Sequence, residues 1–113
     1  MDDIKKITDE LVKFRDERDW EQFHNSKDLA IAISIEANEL LEAFLWKKPE
    51  EAKKEKIKEE LADVLAYAFL LAHKEGLDIK EMVLDKVKKN GEKYPVELAR
   101  GNAKKYSELK KPL

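Results

Sequence analysis

Two pairs of acidic residues stand among apolar neighbours. Glu36 and Glu39 lie in Ile35-Glu36-Ala37-Asn38-Glu39-Leu40-Leu41, directly after the apolar run Leu29 to Ile35. Glu60 and Asp63 lie in Glu60-Leu61-Ala62-Asp63-Val64-Leu65, and no charge follows Asp63 until His73-Lys74. A charge set in an apolar stripe is costly unless something pairs with it. Each pair is spaced i, i+3, so on a helix its two carboxylates share a face. Two such helices side by side would point four carboxylates at one place. Converging carboxylates repel one another and require cations, above all the hard, oxygen-seeking Mg²⁺. Such a site suits phosphate chemistry. Ordinary surface acids at the same spacing are the competing reading, because a chain rich in glutamate contains such pairs by chance. Glu59 and Glu60 fit that reading in part. Asp63, bracketed by Leu61, Ala62, Val64 and Leu65, fits it least. All-carboxylate ligation favours Mg²⁺ or Mn²⁺ over iron or zinc. A di-iron bundle needs Glu-x-x-His on its helices, and the one match, Glu21-x-x-His24, falls outside the long apolar segments.

A second set of residues could hold a flat ligand. Trp20 and His24 lie in a polar segment with Phe23, and Trp46 stands beside Lys47-Lys48 after Phe44. Core packing accounts for most aromatic residues taken singly, and Tyr67 with them. Against that, a polar turn and a helix end are places where a nucleobase could enter and stack. Lys86, Asn90 and Tyr94 share a face at i, i+4 and i+8, where the plain reading is solvated surface.

These residues need helices to position them. Ile4, Ile7, Leu11 and Phe14 form a stripe that predicts a helix from Asp3 to Arg18. Residues 19–24 read as a turn or short helix. Asn25 or Ser26 caps a second helix running to about Trp46. Its Leu29 to Ile35 portion is apolar all round, which predicts a central, buried helix. Pro49 opens a third helix, whose first half is charged and whose second half is nearly all apolar. Gly76 ends it as a left-handed cap residue. Asp78-Ile79-Lys80-Glu81 reads as a capping box starting a fourth helix, carrying Met82, Val83 and Val87 and ending around Asn90-Gly91. From Tyr94-Pro95 onward, a helical turn and an arm are expected. The fold class is all-α, a four-helix bundle-like protomer forming one domain over residues 1–113, with its core at about 3–94 and its arm at about 95–113.

Composition bounds the function. At 113 residues the chain is one domain, small enough to gain from oligomerising. Charged residues make up 42% of it, yet the net charge is only -2, so no basic field marks a nucleic-acid binder. The absence of cysteine excludes disulfides, thiol catalysis and zinc–thiolate sites. No apolar signal segment opens the sequence, and Val64 to Ala72 is too short to span a bilayer. A soluble cytoplasmic protein with no membrane partner is the expectation.

Taken together, Glu17-Arg18-Asp19-Trp20-Glu21-Gln22-Phe23-His24, the Glu36-x-x-Glu39 motif followed by Phe44-Leu45-Trp46, Glu60-Leu-Ala-Asp63-Val-Leu-Ala-Tyr67, and the Lys86, Asn90, Tyr94-Pro95 series resemble the MazG-like all-α nucleoside triphosphate pyrophosphohydrolases. The likeness is greatest to the dCTP pyrophosphatase branch, whose tail is similar to Ala99-Arg100-Gly101-Asn102-Ala103-Lys104-Lys105-Tyr106. The resemblance implies a four-helix protomer working as a homodimer or homotetramer. It implies that Glu36, Glu39, Glu60 and Asp63 hold Mg²⁺, with Mn²⁺ as a substitute. It implies that Trp20, His24, Trp46 and Tyr67 form the base pocket, and that Lys86, Asn90 and Tyr94 face the sugar and phosphates. The expected reaction is Mg²⁺-dependent hydrolysis of a (deoxy)nucleoside triphosphate, dCTP or a related pyrimidine, to the monophosphate and pyrophosphate. The linker around Lys47 to Glu55 is shorter than in the animal members, which bears on the pocket mouth. Two alternatives stand beside this: a non-enzymatic helical interaction module, and a hydrolase or cyclohydrolase of histidine synthesis on a related scaffold, against which the Trp20/His24 turn argues by resemblance.

Overall fold

A computed structural model describes residues 2–108, and all the regular structure among them is helical. The expected arm therefore extends, over residues 109–113, outside the described residues. The chain divides between Asp78 and Ile79 into two compact units.

The first unit holds three long helices. Helix α1 spans Asp3–Glu17 and is capped by Asp2, whose side chain accepts from the Lys5 amide at 2.8 Å. Asp19 then turns the chain through left-handed backbone, at φ 53, and a single 3₁₀ turn follows at Glu21–Phe23. Helix α2 spans Ser26–Glu42, with Asn25 as its cap accepting from the Asp28 amide at 2.8 Å. Helix α3 spans Lys54–Lys74. Its end is a full Schellman motif: Gly76, at φ 66, donates to the His73 carbonyl and Leu77 to the Ala72 carbonyl. Helix α3 packs along α2 and, over a smaller area, against α1.

Two boundaries differ from the sequence expectation. Helix α2 ends at Glu42 rather than Trp46, because the last turns tighten. Phe44 donates to Leu41 at 2.9 Å and Lys47 to Phe44 at 3.1 Å, both three residues back, and Trp46 turns left-handed at φ 60. Pro49 opens a separate 3₁₀ turn, Pro49–Glu51, and extended backbone at Ala52 parts it from α3.

Leu29, Ala43, Leu70 and Ala72 are the buried apolar residues of this unit among the described residues. Leu29 is only 2% exposed, but Ile35, six positions on, is 53% exposed. The expectation of a helix buried on all sides is thus corrected: one face of α2 packs against α3, while Ile31 and Ile35 stand in solvent. Leu61 and Leu65 do the same on α3.

The second unit contains α4, Ile79–Lys93, and the single turn α5, Val96–Ala99. Helix α4 runs through Gly91 rather than stopping there, since a glycine inside a helix costs only about 1 kcal/mol. Pro95, which cannot continue it, ends it. Met82, Val83 and Val87 on α4 are exposed. No helix among the described residues is long and apolar enough to cross a membrane.

Candidate functional site

The two acidic pairs meet where α2 packs on α3. Glu36, Glu60 and Asp63 each offer a carboxylate oxygen within 4.8 Å of the other two. Glu39 lies one turn beyond Glu36 on α2, close enough for its charge to act on Glu36. The i, i+3 spacing on each helix and the packing of the two helices are together sufficient to gather all four groups.

The electrostatics separate the four. Burial raises the Glu36 pKa above the ordinary carboxylate value, and the neighbouring carboxylate of Glu39 raises it further, with smaller contributions from Asp63 and Glu60. Glu60 moves the other way. A hydrogen bond from the Lys56 ammonium, Nζ to Oε1 at 2.6 Å, holds its pKa down against the opposing effect of burial. Glu36 Oε2 and Glu60 Oε2 are nevertheless buried without any hydrogen-bond partner. Buried polar atoms are nearly always satisfied. Two orphaned carboxylate oxygens inside one acidic cluster fit a hard divalent cation, which takes oxygen ligands and removes the mutual repulsion.

Asp63, read from sequence as the charge most firmly set in apolar surroundings, is solvent-exposed. The buried member is Glu60, at 6% exposure, a residue whose sequence context suggested a surface acid. Asp63 lies three residues past Glu60, so the two share a helix face but differ by about 60° in direction, enough to put one position inward and the other at the rim. The cluster thus has a dry wall at Glu60 and an open edge at Asp63.

Of the four aromatic candidates, His24 and Tyr67 are brought together, ring edge to ring face, with centroids 6.4 Å apart and planes at 71°. His24 Nδ1 is buried and without a hydrogen bond. Burial lowers the His24 pKa, and the nearby positive charges of Arg15 and Lys74 lower it further. The imidazole is therefore biased to its neutral form. Trp20 belongs to a different group: its ring meets Phe14 edge-on at 5.7 Å, and the Arg18 guanidinium lies 3.6 Å above the Phe14 ring. Trp46 is 99% exposed. Lys86 and Asn90 are exposed on α4, and the Tyr94 amide donates to the Asn90 carbonyl at 2.8 Å in the second unit.

Two residues that sequence reasoning passed over matter here. Lys56 was readable as an i, i+4 partner of Glu60, but one lysine in a lysine-rich stretch carries no mark of its own. Arg15 is buried at 6% exposure and makes ion pairs with Asp16 at 2.8 Å and Glu21 at 3.4 Å. No periodicity distinguishes it from its exposed neighbours.

The sequence profile of the MazG-like family matches residues 31–109, a span that includes both acidic pairs. The dCTP pyrophosphatase 1 of Bos taurus is 39% identical to this chain over 117 aligned residues, covering 96% of this chain and 68% of that protein. The Homo sapiens protein of the same name is 38% identical, covering 96% of this chain and 67% of its own length. A crystal structure of a pyrophosphatase from Archaeoglobus fulgidus superposes with a TM-score of 0.78 at 38% identity, covering 84% of this chain and 94% of that one. The chain is a member of the MazG-like family.

Proposed function

We propose that this chain is a nucleoside triphosphate pyrophosphohydrolase that converts a (deoxy)nucleoside triphosphate, dCTP or a related pyrimidine first among them, to the monophosphate and pyrophosphate. The observation that carries the reading is the carboxylate cluster across α2 and α3, with its orphaned Glu36 and Glu60 oxygens, in a MazG-like chain. The relatives named as dCTP pyrophosphatases support the choice of substrate.

Glu36, Glu39, Glu60 and Asp63 would hold Mg²⁺, with Mn²⁺ as substitute. When bound, the cation supplies positive charge against the triphosphate and makes a nearby water more acidic. Glu39, one turn from Glu36 on α2, is assigned to orient that water and take its proton. The water oxygen attacks the α-phosphorus, the bond from that phosphorus to the bridging oxygen breaks, and pyrophosphate departs. Trp20, His24, Trp46 and Tyr67 are assigned to the base, and Lys86, Asn90 and Tyr94 to the sugar and phosphates. Residues 1–113 are read as one catalytic domain, which the family match across the boundary between the two units supports. The exposed Ile31, Ile35, Leu61 and Leu65 support a homodimer or homotetramer. A helical interaction module would leave the two orphaned oxygens unexplained.

The deciding experiment is product chromatography across a panel of nucleotides, with Mg²⁺ and with chelator. Monophosphate and pyrophosphate are expected as first products, only with the metal present. Orthophosphate as the first product, or equal release with chelator, would refute the assignment.

A further inference from the structure

We propose that Lys56 is a positioning residue that makes Glu60 a one-oxygen metal ligand and thereby biases the site toward a small octahedral cation and against Ca²⁺. The inference rests on the metal reading above. Its starting point is an asymmetry in Glu60. One carboxylate oxygen, Oε1, accepts from Lys56 Nζ at 2.6 Å, while the other, Oε2, is buried and unpartnered. Glu60 is 6% exposed, within a cluster of like charges. Its rotamer is therefore pinned from one side, and a single oxygen remains for any further ligand.

Lys56 occupies an unfavourable place for a lysine. It lies in the first turn of α3, where the positive end of the helix dipole disfavours a cation. A lysine four residues before its glutamate is also the weaker order for such a pair. An exposed i, i+4 pair contributes little, too little to fix a half-exposed lysine on one oxygen. The buried carboxylate changes the balance, because an uncompensated charge at Glu60 would be far more costly than a fixed lysine. Groups that hydrogen-bond a ligating carboxylate orient it, and removing them typically lowers metal affinity by about 10- to 100-fold.

The consequence for selectivity follows from coordination number. Ca²⁺ takes six to eight oxygens and gains from two-oxygen carboxylates, whereas Mg²⁺ demands near-ideal six-fold geometry and is content with single oxygens and water. With Oε1 engaged by Lys56, Glu60 offers the arrangement that suits Mg²⁺. Without Lys56, both oxygens are free, which suits Ca²⁺.

The test is calorimetric titration of the nucleotide-free chain with MgCl₂ and, separately, CaCl₂, for the wild type, Lys56→Met, Lys56→Gln and Lys56→Arg. In Lys56→Met the Mg²⁺ affinity should fall roughly tenfold, and the ratio of Mg²⁺ to Ca²⁺ affinity should fall with it. Lys56→Arg, which keeps a charged donor, should restore the ratio. Lys56→Gln, which keeps a neutral donor, should lie between, and it carries the test if the methionine variant fails to fold. A purely structural lysine would weaken both ions alike, so an unchanged ratio, or one shifted toward Mg²⁺, overturns the proposal. A wild type that binds neither ion would overturn the metal reading itself.

Discussion

The His24 imidazole and the Tyr67 phenol ring join the loop before α2 to the middle of α3, edge to face at 6.4 Å. The contact packs the imidazole against the aromatic ring of Tyr67, and His24 Nδ1 is buried without a partner. Protonating His24 would place a cation beside Arg15 and Lys74 as well as in a partly dry site.

The pH dependence follows from that arrangement. The unfolded chain takes up the His24 proton at the ordinary histidine value, and the folded chain does so only at lower pH. The stability associated with neutral His24 is therefore complete above the ordinary value and is lost as pH falls from it toward the folded value. Thermal melts between about pH 8 and pH 5 should show this loss, and His24→Gln should flatten that part of the curve. An identical slope in the variant would show that other groups set it.

Asp63→Asn should remove one carboxylate charge at the open edge of the cluster without disturbing its dry wall. A loss of about 3 kcal/mol of charge stabilisation corresponds to roughly a hundredfold in turnover. The metal-free protein should melt at the same temperature or higher, because repulsion with Glu36 is relieved. Wild-type-like turnover would remove this helix from the metal assignment.

Trp46 gives a prediction of mixed sign. The side chain is 99% exposed, so its loss leaves no cavity. Its backbone is left-handed at φ 60, a conformation that costs an ordinary residue about 1–2 kcal/mol. Trp46→Gly should therefore melt higher than wild type and Trp46→Ala close to it. Both should bind nucleotide about ten- to a hundredfold more weakly, as expected for the loss of one stacked ring. Unchanged affinity would separate Trp46 from the base pocket.

The sequence carried the helical class, the caps Asn25 and Gly76, and the pairing of acids across two helices. Those features depend on spacing of three or four residues, which a one-dimensional pattern preserves. What was not legible depended on the neighbouring helix. Glu60 and Asp63 sit on the same turn of α3, and the apolar neighbours of Asp63 in sequence do not report which of the two positions the packed bundle buries. The end of α2 was misplaced for a related reason: residues 43–47 keep a helical composition, and the tightening that ends the helix leaves no breaker residue behind.

The isolated chain exposes Ile31 and Ile35 on α2 and Leu61 and Leu65 on α3. If the proposed oligomer covers them, activity and assembly should be lost together on dilution, with light scattering reporting mass at each concentration. Ile35→Lys with Leu65→Glu should weaken assembly more than it destabilises the fold, since both side chains are about half exposed within one chain. A fully active monomer in light scattering would contradict the oligomeric reading.

The fully solvated indole of Trp46 also makes the chain its own optical probe. Only two tryptophans are present, and the other, Trp20, is partly shielded by Phe14 and Arg18. Trp46 should therefore dominate the red side of the emission spectrum and be the indole more open to collisional quenchers in water. Any event that covers it, whether a stacked nucleobase or a second subunit, should shift that emission to the blue and protect it from quenching, without a label being attached.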